Sequence, residues 1–121
     1  MLALDYGSAR TGVAVSDPSG TVARPAAVVE RAATERGFAR LLALIADERP
    51  ERVVVGLPLT LRGDHGEQAR ETERFIERLR RAIQIPVETY DERFTSVLAG
   101  GDDARAAAHL LSSYLEWQSR S

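Results

Sequence analysis

Apolar positions along the chain follow two kinds of spacing, and the switches between them mark its elements. Residues 2–5 and 11–16 are short apolar runs joined by Tyr6-Gly7-Ser8-Ala9-Arg10, which reads as a β-hairpin with a sharp turn. Asp17-Pro18-Ser19-Gly20 supplies a second reversal. Residues 21–30 read as a third strand, with Pro25 at an edge or an irregular point because it has no N–H to donate. The spacing then changes. Phe38, Leu41, Leu42 and Ile45 recur at i, i+3, i+4 and i+7, a helical stripe capped by Thr34 and stopped by Pro50. Residues 52–57 contain Val53-Val54-Val55, a buried strand bounded by Gly56 and Pro58. A polar loop over 60–66 leads to a second helix, with Ala69, Phe75, Ile76, Leu79 and Ile83 inward and charges outward. Pro86 opens a fifth strand over 87–90, and a last helix carries Ala104, Ala107, Ala108, Leu111 and Leu115 on one stripe. The order β-β-β-α-β-α-β-α predicts an α/β fold in one domain over 1–121. Its mixed five-stranded sheet would have helices on both faces.

Composition narrows this picture only slightly. A chain of 121 residues can bury a core without staples, and the absence of cysteine rules out disulfides and thiolate metal sites. The N-terminus opens directly on a strand-like run, and no apolar stretch approaches a membrane span, so neither a signal peptide nor a membrane partner is expected. The formal net charge of −2 argues against an indiscriminate nucleic-acid coat but says little about a local cleft. All 16 basic residues are arginine, which suits bidentate phosphate contacts and equally fits a codon bias.

Candidate chemistry lies in acids at element ends. Asp5 closes the first strand among apolar neighbours, where a carboxylate is costly to desolvate unless a cation or the turn amides of Gly7 and Ser8 compensate. Asp91, Glu92 and Arg93 close the fifth strand. Adjacent strand residues face opposite ways, so at most one of the two acids can share a site with Asp5, and solvated charge is the plain alternative. Asp102 and Asp103 precede the last helix, where Asp is also a favoured cap. Carboxylates converging from two strand ends and a helix start are what two-metal phosphodiester hydrolysis requires. Gly56-Leu57-Pro58-Leu59 and Gly63-Asp64-His65-Gly66 border a loop before a helix start, a place that favours anions, although a Walker lysine is lacking. His65 and His109 have no zinc-like spacing.

Four strings then stand together. They are Leu4-Asp5-Tyr6-Gly7 with Gly12-Val13-Ala14-Val15; Val54-Val55-Gly56-Leu57-Pro58; Asp91-Glu92-Arg93-Phe94-Thr95-Ser96; and Asp103 with Ala106-Ala107 and the run Leu110 to Leu115. In order and spacing the chain resembles the YqgF, or RuvX-like, family. Its members are described as Holliday-junction resolvases and as nucleases that mature the 5′ end of pre-16S ribosomal RNA. The resemblance implies a ribonuclease H-like fold and a metal-dependent nuclease using Mg2+ or Mn2+. It implies Asp5, Glu92 and Asp103 as catalytic metal ligands, with Asp91 a fourth. It further implies that Arg93 and the loop bearing Gly56, Pro58 and Arg62 hold the nucleic-acid backbone. The partner would be RNA (pre-16S rRNA) or DNA, branched or single-stranded, in the cytoplasm. Symmetric junction cutting would need a homodimer.

Between Ser96 and Asp103 the connection is shorter than the family's, which predicts residues missing between Ala99 and Asp102. Two rival readings remain. An actin-like phosphotransferase needs two such domains around a nucleotide. A non-catalytic nucleic-acid-binding module of the same fold would have no use for acids at all three places.

Overall fold

The computed structural model describes residues 1–16, 22–57, 66–91, 107–108 and 110–115. Its strands are β1 (Leu2–Asp5), β2 (Arg10–Ser16), β3 (Ala23–Glu30), β4 (Val53–Leu57) and β5 (Val87–Asp91). They form one sheet in the order β3-β2-β1-β4-β5. β2 runs antiparallel to both β1 and β3, whereas β1, β4 and β5 are parallel. Antiparallel neighbours need only a turn, but each parallel step needs a crossover. Those crossovers are α1 (Glu35–Glu48) and α2 (Glu67–Ala82). The mixed sheet expected from the sequence is therefore observed, with β1 at its centre.

β1 has no exposed face, which is why its alternating positions are all apolar until Asp5. β3, at one margin, is mostly exposed. Pro25 sits there opposite Ala14, where the pairing slips between Val13 and Ala14, so the missing proline N–H falls at an irregularity of an edge strand.

Local signals account for the helices. The Thr34 hydroxyl accepts from the Gly37 amide at 3.1 Å and caps α1. Gly37 has no alternative, because a Cβ there would lie 2.0 Å from the Arg31 carbonyl oxygen. Arg49, with φ of 49°, closes the helix in the left-handed conformation.

Two cores result. Leu2, Leu4, Tyr6, Val13, Val15, Val53, Val55 and Val87 face α1 and α2, where Phe38, Leu41, Ile45, Phe75, Ile76 and Leu79 cover them. The opposite face presents Ala3, Ala14 and Val54 to a C-terminal helical segment, residues 107–108 and 110–115, through Ala107, Leu110, Leu111 and Tyr114.

Candidate active site

Parallel strands share a direction, so β1, β4 and β5 all end at the same margin of the sheet. In open α/β sheets that margin is where ligands bind. Asp5, Leu57 and Asp91 are the last residues of those three strands.

Alternation fixes which way each side chain faces. Ala3 belongs to the core under the C-terminal helical segment, and Leu4 and Tyr6 belong to the other core. Asp5, two residues from Ala3, therefore points to the face of the helical segment. The same row across the sheet reads Gly12 on β2, Asp5 on β1, Gly56 on β4 and Tyr90 on β5. Asp5 pairs with Gly12, Gly56 pairs with Tyr90, and one step beyond the Leu4–Val55 pair sets Gly56 level with Asp5. Both lateral neighbours of the Asp5 side chain are thus glycines. At these two positions neither β2 nor β4 places a side chain beside the carboxylate.

Tyr6 anchors the strand end from the other side. Its ring stacks on Phe75 of α2, centroids 4.4 Å apart, and its hydroxyl donates to Glu71 at 3.2 Å. Burial, and then the neighbouring Glu71 charge, push this phenol above its ordinary pKa. Gly7 follows, and a Cβ there would come within 2.5 Å of the Arg10 carbonyl oxygen. The Gly7 amide donates to the buried Thr11 hydroxyl at 3.4 Å. Asp5 is thereby placed at a defined strand end, half-buried, immediately before a tight turn.

β5 treats its acids unequally. Glu88 and Tyr90 face the C-terminal helical segment: the Tyr114 hydroxyl donates to Glu88, and Tyr90 meets the Tyr114 ring edge to face at 5.7 Å. Val87, Thr89 and Asp91 alternate to the opposite face, so Asp91 is not on the face of Asp5. Among the described residues no three acidic or histidine side chains gather closely enough to hold a metal. Glu92, Arg93, Pro58, Arg62 and Asp103 lie outside the described residues, as do His65, His109 and the expected break between Ala99 and Asp102. Gly56 is buried in β4, at the start of the candidate backbone-binding loop. Gly12, level with Asp5, was not among the residues expected there, although a glycine inside an otherwise apolar strand is a recognised sign of close approach.

The family model described as "RuvX: Holliday junction resolvase" matches residues 1–117. A protein of Chloroflexus aggregans named "Putative pre-16S rRNA nuclease" is 46% identical over 99 residues, which are 82% of this chain and 70% of its own length. A protein of the same name from Oleidesulfovibrio alaskensis is 36% identical over 129 residues, covering 94% of this chain and 90% of its own. That alignment is longer than this chain of 121 residues, so the relative carries residues where this chain has none. Thermus thermophilus RuvC superposes with a TM-score of 0.62 at 17% identity, covering 99% of this chain and 97% of that one. The likeness shows the ribonuclease H-like fold that the sequence resemblance implied.

Proposed function

This chain belongs to the RuvX family, a family of nucleases, and on that premise we propose that it hydrolyses phosphodiesters at the margin where β1, β4 and β5 end. One observation carries the reading: Asp5 closes the central strand with glycines as both lateral neighbours, in a chain that matches the family from residue 1 to 117. A hard divalent cation, Mg2+ or Mn2+, fits this donor chemistry, since carboxylate oxygens are ligands for such ions. Asp5, Glu92 and Asp103 are the residues we assign to hold it. Between the two adjacent acids, Glu92 is chosen because alternation gives Asp91 the wrong face. When bound, the cation supplies an activated water and neutralises charge on the scissile phosphate.

The chain's own residues do the rest. Gly12 and Gly56 put no side chain beside Asp5, and Tyr6, locked to α2, keeps the Asp5 peptide from shifting. Arg93 and the loop with Pro58 and Arg62 contact the backbone on either side, the arginines through paired N–H donors. The substrate we favour is the 5′ end of pre-16S ribosomal RNA, in the cytoplasm, because the relatives bear that nuclease name. One copy suffices to trim an RNA end. Junction DNA is the second substrate, and there a homodimer would be needed to make paired cuts.

A manganese-supplemented cleavage assay on precursor ribosomal RNA, single-stranded DNA and a four-way junction tests this, with Asp5→Asn as control. Metal-dependent cleavage of the RNA, absent in the variant, is expected. Binding without cleavage of any of the three would favour the non-catalytic module instead.

A further inference from the structure

We infer that Arg10 is a phosphate-binding residue for the proposed cleavage, reaching past Gly12 to hold the non-bridging oxygens of the nucleic-acid strand bound at Asp5. The inference rests on the reading of that margin as the cleavage site. Alternation along β2 decides which side the arginine takes. Val13 and Val15 belong to the core under α1 and α2, and Ala14 belongs to the opposite one. Gly12 and Arg10, at even steps from Ala14, therefore lie on the face of Asp5. The irregularity between Val13 and Ala14 adds its extra residue to β3, so the alternation of β2 is uninterrupted. Asp5 pairs with Gly12, which makes Arg10 its diagonal neighbour on the adjacent strand. Such diagonals are about 7–8 Å, a span that long side chains cover. Gly12, between the two on this face, puts no side chain in the way.

The base of this arginine is held from both flanks while its side chain is exposed. On one flank the Thr11 hydroxyl accepts from the Gly7 amide and donates to the Gly7 carbonyl, both at 3.4 Å, closing the turn before β2. On the other the Arg31 amide donates to the Ala9 carbonyl at 2.9 Å, and Arg10 pairs with Glu30 of β3. Other arginines are committed elsewhere. Arg52 lies at the opposite end of the sheet, where it donates to the Tyr114 hydroxyl at 3.2 Å and pairs with Glu88 at 3.6 Å. Arg78 covers the Phe38 ring, and Arg80 donates to the Val87 carbonyl. Among the described residues, Arg10 is the arginine that a strand presents on the face and at the end where Asp5 lies. A phosphodiester approaching carboxylates is repelled unless cations offset them. A guanidinium does so with paired N–H donors that match two oxygens of one phosphate.

The experiment compares the full chain with Arg10→Gln in three measurements. They are binding of a labelled precursor ribosomal RNA fragment without divalent metal across a range of salt concentrations, Mn2+ binding read by electron paramagnetic resonance, and Mn2+-dependent cleavage of the same RNA. Arg10→Gln is expected to lower the salt slope of RNA binding by about one, the mark of a single lost phosphate contact. Cleavage should fall roughly a hundredfold, the scale of one donor removed from developing charge. Mn2+ should bind as in the parent or tighter, because a nearby positive charge is gone. Arg10→Lys keeps the charge without the paired donors, so it should restore the slope and only part of the rate; it decides the matter if Arg10→Gln does not fold. A parental slope and rate in Arg10→Gln would overturn the inference. So would weaker Mn2+ binding in step with weaker cleavage, which would make the arginine a prop for Asp5. Glu30→Gln should leave slope and rate unchanged, and the same losses there would reduce Arg10 to a cross-strand ion pair. Parental cleavage by Asp5→Asn, or no cleavage by the parent itself, would instead overturn the reading of the margin on which the inference rests.

Discussion

The two faces of the sheet are built from different materials. Toward α1 and α2 it shows leucines and valines, met by two phenylalanines and a stacked tyrosine. Toward the C-terminal helical segment it shows alanines, one valine and, in the row of Asp5, two glycines, with Glu88 and Tyr90 as the larger side chains at the β5 margin. Large side chains exclude water over a wide area and supply most of the apolar burial that stabilises the fold. Small ones let backbone and ligand come close, at a cost in burial. On the proposed reading, stability and chemistry fall on opposite sides of the same five strands. β1 serves both, since Leu2 and Leu4 face one way and Asp5 the other.

The largest expected effect separates the faces outright. Asp5→Asn should lower metal-dependent cleavage by about a thousandfold, the several kcal/mol that metal-assisted hydrolysis supplies. Its melting temperature should stay near that of the parent, since the residue contributes to neither core. Cleavage at the wild-type rate in a pure sample would end the proposed mechanism. The converse change is Phe75→Ala, on the thick face, which should cost about 3–5 kcal/mol in a denaturant titration. A loss under 1 kcal/mol would show that this face does not dominate stability.

Gly12→Ala probes the thin face without removing anything. A methyl beside the Asp5 carboxylate should reduce cleavage by roughly tenfold through misplaced ligands. Folding should be unchanged or slightly improved, because glycine inside a strand is entropically expensive. Equal rates in parent and variant would mean that the space beside Asp5 goes unused.

The smallest effect is alkaline. Tyr6 and Tyr114, one on each face, both have phenols raised above the ordinary 10.0, chiefly by burial. In the unfolded chain these groups ionise near 10.0, while in the folded chain they keep their protons to higher pH. The unfolded state then binds fewer protons, so stability is undiminished below 10 and falls as pH rises through it. Melting curves recorded from pH 8 to 11 should show this decline, flattened in the Tyr6→Phe, Tyr114→Phe double variant. Identical slopes would remove both tyrosines as its source.

Much of this was legible in the sequence, and the remainder has physical reasons for being hidden. The stripe Phe38, Leu41, Leu42, Ile45 with Thr34 ahead of it located the start of α1 to the residue, and Pro50 marked its end, which falls at Glu48, because caps and helical periodicity are local signals. The strands were placed to within a residue or two, β2 beginning at Arg10 and β5 reaching Asp91. Asp5 could be singled out because a carboxylate ending an apolar strand is conspicuous. Strand order is another matter. That Gly12 and Gly56 flank Asp5 follows from pairings between residues far apart in the chain, which no local pattern encodes. Tyr114 could be read as a packing residue, and it is one. Its hydroxyl partners, Arg52 and Glu88, become visible only when three distant segments are brought together.

The central position of β1 also fixes an order in time. Leu2 meets its partner Val15 on one side after a short stretch of chain, but its partner on the other side, Val53, only after a far longer one. A nascent chain therefore carries the Asp5 strand with one edge bare, lacking Gly56, and still lacking the segment that Tyr114 anchors. The margin where Asp5 lies is complete only when β1, β4 and β5 are all assembled, so on the proposed reading the β1–β2 hairpin alone does not cut.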